Sequence, residues 1–204
     1  HKRAPEALFL AGLALERAGS HKQAERTFSS YLKRHAAKQG RVRECTLHLG
    51  QAMLKLGRRK SAQSLFERCG EYRPRSAPKG FELASAAHCR FMLGEMVFDD
   101  YKKIKLRPPK RRLVKLLKQK ATVLKKAESL FTGVVAAGHM EWASAALFRI
   151  GDMYAQFATA ILQAPLPKGL SQRELEVYRQ ELQSLAFPIE DKALTALVEL
   201  LGKK

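Results

Sequence analysis

The fold is decided by the stretch LFLAGLALERAGSHKQAERTFSSYL, residues 8–32. Small and apolar residues recur in it at helical spacing: Leu8, Ala11, Gly12 and Leu15, then Ala24, Phe28 and Tyr31. The same pattern returns 38 residues later as Thr46, Leu49, Gly50 and Met53, then Ala62, Phe66 and Cys69. Since the glycine precedes the alanine by 12 residues both times, the sequence indicates an internal repeat.

Each copy of this pattern predicts two antiparallel helices joined by a short turn. A glycine on the first helix and an alanine on the second leave room for a close crossing that larger side chains would wedge apart. Gly19-Ser20 and Gly57-Arg58 supply the turns, because glycine readily ends a helix. One hairpin cannot bury its own apolar faces, so consecutive hairpins are expected to stack.

At these positions the chain resembles the tetratricopeptide repeat family. The family pattern places a large residue, Leu-Gly, an aromatic residue, Ala, a second aromatic residue and Pro at fixed offsets. This sequence has Pro74 at the end of the second copy but departs elsewhere, with Leu8 and Thr46 in place of Trp, Leu15 and Met53 in place of Tyr, and Ala36 in place of the first Pro. The resemblance implies an all-α fold, a right-handed helical solenoid of about four helix pairs, with repeats at 4–36 and 43–74.

Two further helix pairs are predicted, each split by an insertion. The residues around Gly94 resemble the first helix of a repeat. Phe131, which corresponds to Phe28 and Phe66, lies 21 residues later than in the regular copies. Gly151 is matched by Ala193 after an insertion of 30 residues. We therefore predict one domain over 1–204, with a third repeat at 81–138 that carries an insertion at 102–126 and a fourth at 139–201 that carries one at 164–188.

The first insertion is strongly basic and contains no acidic residue, in a chain whose formal charge is +19. Leucines line one face of a helix that starts near Pro109, which leaves the opposite face almost wholly cationic. Four interpretations stay open: a solvated face, an acidic protein partner, an anionic membrane surface and nucleic acid. Nucleic acid is the less favoured, because Tyr101 is the only aromatic residue from 99 to 130. The candidate binding residues are Lys102, Lys103, Lys105, Arg107, Lys110, Arg111, Arg112, Lys115 and Lys118.

The second insertion predicts a helix that opens with a capping box, because Glu174 follows Ser171 by three residues. Phe187-Pro188 is expected to end this helix, and a last helix then runs to Gly202. Core packing is expected to account for the apolar stripe of both helices: Leu175, Tyr178, Leu182, Leu185, Ala193, Leu197 and Leu201.

Cysteine and histidine usage indicates no metal or catalytic centre. Cys45, Cys69 and Cys89 are odd in number and lack CxxC spacing, so we predict small buried side chains rather than a disulfide framework or a zinc site. The six histidines are scattered, and no catalytic or nucleotide-binding motif is present. We expect no enzyme activity, no cofactor and no metal.

A narrower resemblance covers residues 85–199, which look like the distal part of tetratricopeptide proteins of myxobacterial-type predatory and gliding bacteria. Some of those are similar to envelope proteins implicated in gliding motility, so a periplasmic or membrane-associated scaffold is implied, with the cytoplasm as the alternative. The start at His1 rather than Met favours a piece of a longer chain. The residues that carry the resemblance include Trp142, Ala143, Ala145, Ala146, Leu147, Arg149, Ile150, Gly151, Tyr154, Phe157, Ala164, Pro165, Pro167, Leu170, Glu174, Tyr178, Leu182, Ala186, Pro188, Lys192 and Ala193.

The sequence therefore predicts a non-catalytic protein–protein interaction scaffold within a bacterial multiprotein assembly. Its protein partner is expected in a concave groove marked by Tyr31 and Arg90. The alternative is a polyanion-binding module that acts through 102–126 on an anionic membrane or on nucleic acid. Groove binding should survive moderate salt, whereas polyanion binding should weaken steeply as salt rises.

Overall fold

A computed structural model describes residues 4–35, 41–71, 79–166 and 169–202, apart from the side chain of Lys110. Ala36, Pro74 and Pro167, which the sequence patterns include, lie outside these ranges. Within the ranges the chain forms eight helices and no strand, which confirms the all-α prediction. The helices are α1 (Ala4–Arg17), α2 (His21–His35), α3 (Val42–Lys55), α4 (Arg59–Gly70), α5 (Gly80–Lys103), α6 (Lys110–Ala136), α7 (Met140–Leu162) and α8 (Gln172–Gly202).

The chain divides into two compact units, His1–Leu93 and Gly94–Lys204. The first contains α1 to α4 and the beginning of α5; the second contains the remainder of α5 and α6 to α8. Consecutive helices pack against each other, α1 on α2, α2 on α3 and α3 on α4 in the first unit, α6 on α7 and α7 on α8 in the second.

In the first unit, each helix pair closes on a contact between a glycine and an aromatic ring. A Cβ placed on Gly12 would lie 2.5 Å from the ring of Phe28, and one placed on Gly50 would lie 2.5 Å from the ring of Phe66. Both rings are fully buried. Only glycine lets the second helix bring its ring so close to the backbone of the first, so the predicted close crossing is confirmed.

Gly19 and Gly57 end α1 and α3 in the same way. Their φ angles are 72° and 76°, in the left-handed region that glycine adopts at little cost. The next amide reaches back to the helix each time, from Ser20 to the carbonyl of Leu15 and from Arg58 to the carbonyl of Met53, both at 2.9 Å. These bonds satisfy carbonyls that the helix end leaves unpaired and turn the chain into the next helix.

The second unit uses the same close approach over much longer separations in sequence. A Cβ on Gly94 would lie 2.6 Å from the ring of Phe131, and one on Gly151 would lie 2.9 Å from Cγ of Leu197. The residues that the sequence pairs across 102–126 and across 164–188 are therefore in contact. The glycine contact persists although α6 and α8, at 27 and 31 residues, are about twice as long as the helices of the first unit.

The predicted break at Phe187-Pro188 is wrong, because α8 continues from Gln172 to Gly202 with Pro188 inside it. A proline within a helix removes one backbone hydrogen bond and costs about 3 kcal/mol. Leu182 and Ala186 before it and Ala193 and Ala196 after it are buried where α8 packs on α7, so tertiary packing offsets that cost. The break at 108–109 is confirmed, since α5 ends at Lys103 and α6 begins at Lys110.

The capping box at the start of α8 is also confirmed. The backbone amide of Ser171 donates to Oε2 of Glu174 at 2.8 Å, and the amide of Glu174 faces Oγ of Ser171 at 3.4 Å. This reciprocal arrangement pairs two amides that would otherwise lack partners at the helix start. The hydroxyl of Ser171 also donates to Oε2 of Glu174 at 2.7 Å, and this bond, followed by the one from the Ser171 amide, holds the pKa of the Glu174 carboxyl below its usual value.

All three cysteines are buried, as predicted, but the prediction that none forms a disulfide is wrong, since Cys69 and Cys89 are bonded to each other. They are 20 residues apart on α4 and α5, and the packing of these helices brings their Cα atoms to 5.9 Å, within the range that a disulfide spans. Spacing along the chain gives no sign of this, because the connection depends on how α5 folds back. Cys45 is buried and free, as predicted.

Thiol counting tests this pairing. The folded chain should react with an alkylating agent at no cysteine, because Cys45 is buried and burial raises its pKa to about 12. After denaturation without reductant one thiol should react, and after reduction all three should, as read from the intact mass. Three reactive thiols in the denatured, unreduced chain would contradict the disulfide.

Candidate functional site

The predicted cations do not act alike once they are placed on the fold. Lys102 and Lys103 lie in the last turn of α5, where they pair with Asp99 at 2.7 Å and Asp100 at 2.9 Å. Lys105 and Arg107 lie in the connection to α6, and Arg111, Arg112, Lys115 and Lys118 lie on α6 itself. For Lys110 the backbone starts α6, and its side chain lies outside the described residues.

Four of these cations line one cavity at the corner between α5 and α6. Its volume is about 410 Å³, and the side chains at its wall include Lys103, Lys105, Arg107 and Arg112. We call this the corner pocket; Asp100, Ile104, Leu116 and Gln119 complete its lining. Among the residues that the structure describes, Lys105, Arg107 and Arg112 form no ion pair or hydrogen bond through their side chains. The pocket is therefore strongly positive, with three cations available to a ligand.

The start of α6 concentrates positive charge where a helix tolerates it least. Its first turn contains Lys110, Arg111 and Arg112 but no acidic residue, and Pro109 at the N-cap provides no side-chain hydrogen bond. The amino end of a helix carries a partial positive charge and favours carboxylates there. Arg111 and Arg112 therefore stand at a helix end whose dipole disfavours them.

Arg111, Lys115 and Lys118 are exposed on α6 and do not line the corner pocket. The structure thus separates the candidate cations into a group that shares one cavity and a group that faces solvent.

Lys120 departs from the expectation that the cations of 102–126 form a solvated face. It is 6% exposed, and its Nζ donates to the carbonyls of Tyr101 at 3.1 Å and Ile104 at 3.3 Å. The ammonium also lies 3.5 Å from the centre of the Tyr101 ring. Lys120 therefore caps the carboxyl end of α5, where a cation complements the helix dipole. Burial, and to a lesser extent the charge of Lys105, lower the pKa of Lys120 to about 8.

The two predicted groove residues are parts of the architecture. Tyr31 is 1% exposed and packs edge-on against Phe9, with ring centres 5.9 Å apart, so its side chain presents no surface to a partner. Arg90 donates from Nε to the carbonyl of Gly70 at 2.8 Å. Arg43 donates to the carbonyls of Cys69 and Glu71, so two arginines from α3 and α5 cap the end of α4 beside the disulfide.

An exposed apolar stripe on α8 was not predicted. The sequence interpretation assigned the apolar residues of this region to the core, but Leu185 and Leu201 are exposed, and so are Phe187, Leu194 and Val198. A helix turns about 100° per residue, so positions 187, 194, 198 and 201 fall on one face, which we call the α8 stripe. Glu190 and Asp191 fall on its two borders by the same spacing. The repeat pattern does not indicate this face, because it specifies only the residues that pack inward.

Two other kinds of feature, a metal site and a membrane-spanning helix, are not formed by the described residues. No cluster of three or more His, Cys, Asp or Glu side chains there is arranged to hold a metal ion. In the same part of the chain, no helix has both the length and the apolar character to cross a bilayer.

Comparison with known proteins finds a family resemblance in residues 6–76. The tetratricopeptide repeat family model matches residues 6–37 and 44–76, which fall on the helix pairs α1–α2 and α3–α4. The chain is also similar to a solved TPR repeats protein from Bacteroides fragilis NCTC 9343, with 15% identity, a TM-score of 0.35, and coverage of 98% of this chain and 91% of that one. No curated protein matches the sequence. The resemblance of 85–199 to gliding-motility proteins stays a prediction.

Lys120→Met tests the buried ammonium through its pH dependence. Because the pKa of Lys120 falls from 10.5 to about 8 on folding, the unfolded chain holds this proton more tightly between those values. Stability therefore rises as the pH increases through that window. Urea titrations at pH values from about 7 to about 10 should show the wild type gaining stability relative to Lys120→Met. The exposed Lys118→Met is the control, and a difference that does not change with pH would contradict the assignment.

Proposed function

We propose that the chain is a non-catalytic scaffold that binds a protein partner within a bacterial multiprotein assembly. The observation that carries this proposal is the pair of tetratricopeptide repeats at 6–37 and 44–76. Repeats of this kind stack helix pairs and offer extended surfaces to other proteins. The absence of catalytic motifs from the sequence agrees with this role.

The α8 stripe is the surface that we assign to the partner. Apolar residues at positions i, i+7, i+11 and i+14 form the kind of seam along which a second amphipathic helix packs. Phe187 is 73% exposed and Leu201 65%, so a sizeable apolar area remains uncovered along one helix. Glu190 and Asp191 border it, which favours a partner helix whose apolar face is flanked by Lys or Arg.

The proposed compartment is the bacterial cell envelope. Disulfides form and persist in oxidising compartments such as the periplasm and are rare in the cytosol, so the Cys69–Cys89 bond supports this location over the cytoplasm. A role in gliding motility rests on the resemblance of residues 85–199 alone.

A second candidate function is the binding of a polyanion through residues 102–126. The exposed cations without partners, Lys105, Arg107 and Arg112 in the corner pocket and Arg111, Lys115 and Lys118 beside it, favour this function. An anionic membrane surface suits these residues better than nucleic acid, since aromatic side chains that would stack on bases are few in this segment.

Capture of partners from an extract of the native bacterium tests the scaffold and its surface together. The test variant replaces Phe187, Leu194 and Val198 with Ser, and a matched variant replaces Leu10, Met140 and Phe148, which are also exposed. Far-UV circular dichroism checks that both fold. We expect the wild type and the matched variant to retain a protein at physiological salt that the stripe variant loses, because burial of large apolar side chains dominates such contacts.

The retained protein is then identified by mass spectrometry and its binding to each purified variant is measured by calorimetry. Loss of at least about tenfold in affinity for the stripe variant alone is the expected result. The same protein list from wild type and stripe variant would remove the α8 stripe from consideration. Failure to retain any protein would contradict the scaffold itself.

A further inference from the structure

We infer that the corner pocket binds a phosphate group, carried either by a small soluble compound or by a lipid headgroup. This inference rests on the second candidate function and narrows it. Polyanion binding through 102–126 would involve the whole cationic face of α6, whereas the inferred site is one solvent-open pocket lined by a small set of residues.

Positive charge converges on a pocket of suitable size. Lys105 and Arg107 come from the connection, Arg112 from the first turn of α6 and Lys103 from the last turn of α5. A volume of about 410 Å³ lies within the range of about 300–1,000 Å³ that is usual for small-molecule sites. The one carboxylate in the wall, Asp100, is 2.9 Å from the ammonium of Lys103 and is thereby neutralised.

The concentration of cations at the start of α6 is unfavourable for the protein alone. Lys110, Arg111 and Arg112 occupy the positive end of the α6 dipole with no acid in that turn. Departures from the rules of helix stability are concentrated at functional sites, where a ligand compensates them. An anion in the corner pocket would neutralise Arg112, the one cation of that turn that lines the pocket, together with Lys105 and Arg107 beside it, and would complement the helix dipole at the same time.

The wall behind the pocket holds a buried positive charge. Ile104 lines the pocket, and its carbonyl accepts a hydrogen bond from the buried ammonium of Lys120. This fifth positive charge is held in place by the fold and is shielded from water, so it adds to the field at the pocket more effectively than an exposed lysine would.

The donor set selects phosphate among anions. Arg107 and Arg112 present planar guanidinium groups that bind two oxygens of a phosphate at once, and the lysines add point charges that a dianion or a pyrophosphate uses fully. A single carboxylate carries too little charge to neutralise three free cations.

Titration calorimetry of the 204-residue chain with inorganic pyrophosphate at low salt tests the site. The pocket variant replaces Lys105, Arg107 and Arg112 with Gln, and the matched variant replaces Arg111, Lys115 and Lys118 with Gln. Both remove three positive charges from the same segment, so they differ only in whether the charges line the cavity. We expect one pyrophosphate per chain, an affinity at least about tenfold weaker in the pocket variant, and a change below about threefold in the matched one.

An equal loss in both variants would show diffuse charge attraction and overturn the inference while leaving polyanion binding in place. No heat of binding to the wild type at low salt would overturn it outright.

A second arm uses vesicles that contain phosphatidate, with phosphatidylcholine vesicles as the control. Binding that the pocket variant loses, and that pyrophosphate displaces, identifies a lipid headgroup as the source; pyrophosphate binding without vesicle binding identifies a soluble compound. Vesicle binding that survives in the pocket variant would again overturn the inference but retain the broader function.

Discussion

The close approach of two helices at a glycine is the constraint on which the other features depend. At Gly12, Gly50 and Gly94 the missing side chain admits the ring of a phenylalanine from the following helix of the pair, and at Gly151 it admits Leu197. Each contact sets the distance between two helices, and that distance decides which residues of the next helix face inward. Because each contact involves only one helix pair, the second helix of that pair can be longer and still keep the contact, as α6 and α8 are. The extra length of α6 carries Arg112, Leu116 and Gln119 of the corner pocket, whereas the α8 stripe lies mainly on the part of α8 that matches the regular repeats.

Positive charge has two separate uses in this molecule, and the difference points to function. Arg43, Arg90 and Lys120 donate to carbonyls at the carboxyl ends of α4 and α5, where cations satisfy unpaired groups and complement the helix dipole. The cations at the start of α6 stand at the opposite kind of helix end and have no such structural use. A strongly basic composition is thus partly architectural, and only the remainder is available to a ligand.

The sequence predicted what short-range patterns encode. The repeat at Gly12 and Gly50, the turns at Gly19 and Gly57 and the capping box at Ser171 follow from residues a few positions apart, whose geometry is governed by local rules. Even the pairing of Gly94 with Phe131 follows, because the repeat specifies both residues.

The Cys69–Cys89 disulfide and the cap formed by Lys120 did not follow, since each depends on how α5 returns against its neighbours. Pro188 and the α8 stripe were misjudged for a related reason: local rules take no account of packing along the whole of α7, or of an apolar face that no part of the described chain covers. Among the candidate cations, sequence supplied the set, and only the fold separated Lys105, Arg107 and Arg112 from the others.

The central claim is that the ring of the second helix occupies the space left by the glycine of the first, and a double-mutant cycle on Gly94 and Phe131 measures this directly. Gly94→Ala should lower the free energy of unfolding by about 1–3 kcal/mol, because the new Cβ meets the ring at 2.6 Å. Gly133→Ala on α6, where a Cβ meets nothing within 4 Å, should be neutral or stabilising. In the Phe131→Leu background no ring occupies the space beside Gly94. Gly94→Ala should then lower the free energy of unfolding by at least about 1 kcal/mol less than it does in the wild type. Strict additivity of the two substitutions would contradict the claim.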